Sequence, residues 1–139
     1  MGSSLKLGPR SILLVEDNPD DVTLTQRAFE KSRLTTPLAV ARDGVEALDY
    51  LFGKGAFAQK KPPVPALVLL DLKLPKIGGL EVLRQIRGEV STKLLPVVIL
   101  TSSREDRDIV SGYALGANSY IRKPVEFERF IEAIRQLGH

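Results

Sequence analysis

Short, nearly unbroken apolar runs alternate along the chain with stretches of helical period. Ile12–Val15, Leu38–Ala41, Ala66–Leu70, Val97–Leu100 and Ser119–Ile121 have the length of strands. Apolar residues at successive positions suit strands covered on both faces, as in a parallel sheet. The intervening stretches carry helix signals. Asn18-Pro19-Asp20-Asp21 offers an N-cap, a proline in the first helical position and acids in the first turn. Asp43-Gly44-Val45-Glu46 and Ser103-Arg104-Glu105-Asp106 resemble capping boxes. Leu80, Leu83 and Ile86 form an apolar stripe for a third helix, Gly116 stops a fourth, and Phe127, Phe130, Ile131 and Ile134 line a fifth. The order βαβαβαβαβα predicts an α/β fold: a doubly wound, open parallel sheet with helices on both faces. Gly53–Pro65 is irregular and longer than usual connections, and reads as a tolerated surface insertion.

Composition narrows the function classes. A length of 139 residues suits one domain, with residues 1–10 as a tail and 11–138 as the domain. With 43% hydrophobic and 27% charged residues, the chain has the balance of a globular protein rather than a disordered one. No apolar run is long enough to span a bilayer, and no export signal stands at the start, so no membrane partner is expected. Cysteine is absent, which removes disulfides and thiolate metal sites and suits the cytoplasm. The net charge of +3 is scattered, with Lys60-Lys61 its densest spot, and this argues against nucleic-acid binding. The chain ends at His139, just past the fifth helix, so no output domain is expected.

In open α/β sheets the reactive crevice lies at the carboxyl ends of the strands. There the first strand ends in Glu16-Asp17, the third in Asp71 and the fourth in Thr101-Ser102, while Lys123-Pro124 follows the fifth. Singly, these are ordinary loop acids, turn formers, caps and a surface lysine; Tyr120 alone is strand packing. Their meeting at one end of one sheet is harder to explain by chance. If the first and third strands are neighbours, three carboxylates converge, and an all-oxygen set with room for water suits Mg²⁺. A carboxylate between a metal and a lysine is a competent nucleophile toward phosphorus. A flavin or nucleotide site is disfavoured, because no Gly-x-Gly-x-x-Gly follows the first strand and no Gly-x-x-x-x-Gly-Lys loop is present. An aspartyl phosphatase or mutase often has a second acid two residues after its nucleophile; here that residue is Lys73. A docking protein that never becomes phosphorylated is the remaining alternative.

Taken together, Glu16-Asp17, Asp71-Leu72-Lys73-Leu74-Pro75-Lys76-Ile77-Gly78-Gly79, Thr101, Gly116-Ala117-Asn118 and Lys123-Pro124 resemble the receiver domains of two-component response regulators, over residues 11–137. The resemblance implies a flavodoxin-like (βα)5 receiver fold with strand order 2-1-3-4-5. It implies that Asp71 is the phosphoacceptor, and that Glu16, Asp17, Asp71 and the backbone carbonyl of Lys73 hold Mg²⁺. Lys123 would pair with the phosphoryl group, aimed by a cis Lys123–Pro124 bond. Thr101 and Tyr120 would form a switch acting on the face built by the fourth helix, fifth strand and fifth helix, which is also the expected homodimer surface. The donor would be a sensor histidine kinase or phosphotransfer protein. The Gly53–Pro65 segment and the Asp71–Pro75 stretch further resemble stand-alone regulators that accompany phytochrome-type kinases. Lys73 departs from many receivers, and a bulky cation there would shield an acyl phosphate from water.

Overall fold

The computed structural model describes residues 11–31, 36–102, 111–123, 126 and 128–132. Five parallel strands form one sheet: β1 (Ile12–Val15), β2 (Leu38–Ala41), β3 (Leu67–Asp71), β4 (Val97–Thr101) and β5 (Ser119–Arg122). Their order across the sheet is β2-β1-β3-β4-β5, which is the doubly wound arrangement. The three central strands are buried at every position, as their unbroken apolar runs require, whereas the edge strands β2 and β5 are only partly covered. β3 and β4 each extend one residue beyond the apolar run, to Asp71 and Thr101.

Side chains alternate across the sheet and divide the core in two. Ile12, Leu14, Leu67, Leu69, Val98 and Leu100 pack on one face with Val22, Ala28 and Phe29 of α1 (Pro19–Lys31) and with Phe130. Leu13, Val15, Val68, Leu70, Val97 and Ile99 pack on the other face with α2 (Gly44–Phe52) and α3 (Gly79–Gly88). Helices therefore cover both faces. Residues 111–114 and 128–132 are also helical.

The predicted start signals act at α1 and α2. Asn18 Oδ1 accepts the N–H groups of Asp20 at 2.8 Å and Asp21 at 3.3 Å. Asp43 Oδ1 accepts the Glu46 N–H at 2.7 Å, while Glu46 reaches back to the N–H of Arg42, at 3.4 Å, instead of that of Asp43. The buried stripe of α3 is Gly79, Val82, Leu83 and Ile86, with Leu80 at its margin. The expected cap at Ser103–Asp106, together with Phe127 and Ile134, lies outside the described residues. Gly53–Pro65 is less irregular than its composition suggests. Gly53 closes α2 in the left-handed region, Gly55–Phe57 forms a 3₁₀ turn, and the Phe57 ring meets Tyr50 edge-on at 5.2 Å.

Candidate active site

Register builds the site. Val15 pairs with Leu70, so Glu16 and Asp71 lie side by side at the carboxyl edge of the sheet, and Asp71 pairs with Leu100, so Thr101 follows one residue further along the neighbouring strand. Glu16 continues the ladder by donating its N–H to Ala41 O at 2.9 Å, and Lys123 does the same toward Thr101 O at 2.8 Å. Four of the predicted residues are thus delivered by backbone pairing, before any side chain is considered. Glu16, Asp71 and Thr101 are buried, whereas Asp17 is exposed.

Lys123 holds the centre. Its Nζ donates to Asp71 Oδ2 at 2.8 Å and to Asp21 Oδ2 at 3.1 Å. It also lies 2.7 Å from Glu16 Oε1, off the hydrogen-bonding direction. The lysine side chain is only 11% exposed. Burial works against its charge, but the bond to Asp71 and the close Glu16 carboxylate outweigh it and hold the ammonium above the usual lysine range. The other Asp71 oxygen, Oδ1, accepts the N–H of Lys73 at 3.0 Å.

Glu16 feels the opposite balance. Burial and the neighbouring Asp71 carboxyl push it up to about 7, against the lowering effects of Lys123 and of the Asn18 N–H, which donates to Oε2 at 3.2 Å. Ligand atoms of Glu16, Asp17 and Asp71 all lie within 4.8 Å of one another. A buried Glu16 oxygen without a hydrogen-bond partner among the described residues, in an all-carboxylate set, fits a hard divalent cation.

The geometry agrees with the comparisons to known proteins. The model of the response regulator receiver domain matches residues 12–135. This chain belongs to the response regulator receiver family. It is 43% identical to the probable methanogenesis regulatory protein FilR2 of Methanothrix harundinacea, over 92% of this chain and 83% of that one. It is 40% identical to response regulator Rcp1 of Synechocystis, over 83% and 77% of the two chains. The solved structure of the bacteriophytochrome response regulator AtBRR is 53% identical, with a TM-score of 0.85 and 94% of both chains covered. A Mn²⁺-bound structure of Rcp1 aligns with a TM-score of 0.78 over 93% of this chain and 91% of that one, at 36% identity.

Within this receiver, Tyr120 lies at the surface, 37% exposed, its ring 6.1 Å from that of Tyr113 and 5.9 Å from the Arg122 guanidinium carbon. Pro124 lies outside the described residues, and with it the predicted cis bond. Among the described residues, no helix is long and apolar enough to cross a membrane. Sequence reasoning passed over Asp21 as a first-turn acid of α1. Its distance of four residues from Asp17, one helical turn into a helix that starts at the crevice, was the available signal.

Proposed function

We propose that this chain is a signalling phosphoacceptor rather than a turnover enzyme, and that Asp71 accepts a phosphoryl group from a sensor histidine kinase or phosphotransfer protein. The observation that carries this reading is the buried Asp71 carboxylate, held through one oxygen by Lys123 and through the other by the Lys73 N–H. A carboxylate oxygen of Asp71 attacks the donor phosphorus. The new O–P bond forms as the bond from phosphorus to the donor breaks, and the donor leaves with that electron pair; a histidine donor regains a proton from solvent. Lys123 follows the charge onto the phosphoryl oxygens.

Glu16, Asp17, Asp71 and the Lys73 carbonyl would hold Mg²⁺. When bound there, the cation supplies neutralisation of charge on the transferring oxygens. The Mn²⁺-bound form of Rcp1 supports a divalent cation in this family. Likeness to AtBRR supports a phytochrome-type kinase as donor.

Thr101, buried at the end of β4, would donate its hydroxyl to the phosphoryl group and draw the exposed Tyr120 ring inward, a population shift between two packings. The readout face is that of β5 and the flanking helical residues. A cleft of about 410 Å³ lies there between Tyr113, Tyr120, Arg122 and Arg129, and supports this face as a docking or homodimer surface.

The test is incubation of wild type and Asp71→Asn with acetyl phosphate, with and without Mg²⁺, followed by intact-mass measurement. One phosphoryl group on wild type alone, and only with Mg²⁺, is the expected result. No adduct, even with a cognate kinase, would leave a docking protein.

A further inference from the structure

We infer that Asp21 is a positioning residue for Lys123, a role that rests on the phosphoacceptor reading above. Among the described residues, three carboxylates surround the Lys123 ammonium, and they are not equivalent. Asp71 and Glu16 stand at strand ends and belong to the group that could hold a cation; Asp21 does not. It contacts Nζ at 3.1 Å from the first turn of α1, and its side chain is 26% exposed.

The difference matters once phosphoryl transfer begins. The attacking oxygen of Asp71 becomes part of an acyl phosphate, and its charge passes to the phosphoryl oxygens. Glu16 is committed to the cation. Among the described residues, Asp21 is then the one partner of Lys123 whose charge is consumed by neither event. A lysine side chain is long and flexible, and ordering it costs conformational entropy. Asp21 is well fixed for holding it: its N–H reaches Asn18 Oδ1 at 3.3 Å, and its carbonyl accepts the Thr25 hydroxyl at 2.8 Å. A helix turn pinned in this way keeps the ammonium beside Asp71 before the phosphoryl group arrives. The gain is one of orientation and preorganised charge. On this account Asp21 touches neither donor nor reacting atoms and acts through Lys123.

The test compares wild type with Asp21→Asn and Asp21→Glu in three measurements. The first is the rate of phosphorylation by acetyl phosphate at saturating Mg²⁺. Asp21→Asn should slow it by about tenfold, the scale of one charge-assisted contact, and Asp21→Glu should recover part of the loss. The second is Mg²⁺ affinity, which should stay within about threefold, because a charge outside the cation set acts only through solvent-screened distance. The third is the NMR signal of the Lys123 ammonium, assigned by its loss in Lys123→Gln. Bonded to Asp21, it should be protected from exchange in wild type and Asp21→Glu, and shifted or broadened in Asp21→Asn. A phosphorylation rate in Asp21→Asn equal to or above that of wild type would overturn the inference. So would an unmoved Lys123 signal, which decides the matter even if wild type takes up no phosphoryl group; that last result would sink the phosphoacceptor reading by itself.

Discussion

Asp43 precedes α2 on extended backbone, at φ −155° and ψ 173°, and caps it through the 2.7 Å bond from Glu46 N–H to Oδ1. That N–H holds the Asp43 carboxyl below the usual aspartate range. Burial opposes the effect, and the Lys76 ammonium, 3.3 Å from Oδ2, adds to it. A lowered folded-state pKa means that the stability is complete above the ordinary value of 3.8 and is lost as pH falls through the lowered one. Asp43→Ala should therefore cost about 1 kcal/mol at neutral pH. Asp43→Asn should keep most of the cap and remove its acid dependence, which urea melts at pH 7 and pH 3 would separate. The cap was legible in the sequence because it is local, three residues from donor to acceptor. The Lys76 contact was not: it depends on a left-handed backbone at Lys76, φ 69°, which a non-glycine residue does not announce. Asp21 escaped for a related reason, since its partner lies 102 residues away.

At the scale of elements, strand boundaries fell within a residue of those read from the apolar runs. Three strands run one residue further than read, to Asp71, Thr101 and Arg122. Ladder pairing is indifferent to side-chain polarity, so Asp71 and Thr101 stay within β3 and β4 although the apolar pattern has stopped. The join from β3 to α3 depends on Gly79, where a Cβ would press on the Asp71 carbonyl oxygen and stand 2.6 Å from Leu72 Cα. Gly79→Ala should lose more than the ~1 kcal/mol alanine gains inside a helix, and it should slow phosphorylation by shifting the Asp71 backbone. Gly78→Ala, whose Cβ meets nothing within 4 Å, should cost under about 1 kcal/mol and leave the rate alone. Thermal melts and phosphorylation rates of the two variants check the pair. Arg87, in the last turn of α3, ties together the far end of the sheet. Its guanidinium donates to Gly116 O at 2.7 and 3.0 Å, to Leu95 O at 2.7 Å and to Asn118 Oδ1 at 3.0 Å. Asn118 Oδ1 in turn accepts the Val97 N–H at 2.9 Å. A lysine cannot reproduce a planar fork, so Arg87→Lys should destabilise nearly as much as Arg87→Ala, by roughly 1–3 kcal/mol in denaturant melts. Periodicity marked α3 as a helix with an apolar stripe, but it says nothing of polar groups that meet only after four elements have packed.

For the molecule as a whole, the carboxylate cluster around Lys123 sets stability against charge. Glu16 is the most exposed to this conflict in electrostatic terms, because it is buried beside another carboxyl and is raised from 4.5 to about 7. A raised folded-state pKa gives stability that is complete below 4.5 and is lost as pH climbs through about 7. Without metal, the protein should therefore weaken between pH 5 and pH 8 more than an Asp- and Glu-poor core would predict, and Glu16→Gln should flatten that slope. A cation reverses the sign, because it binds the ionised carboxylate and competes with the proton. With one proton to displace and a pKa of about 7, Mg²⁺ affinity should fall about tenfold between pH 8 and pH 6. The stabilisation by a fixed Mg²⁺ concentration follows the logarithm of concentration over dissociation constant. Melts with and without Mg²⁺ should thus separate widely at pH 8 and close together at pH 6, and Glu16→Gln should abolish the difference between the two pH values. Equal separation at both pH values in wild type would mean that Glu16 is already ionised without the metal. In that case the contact with Lys123, and not burial, would govern the charge of the site.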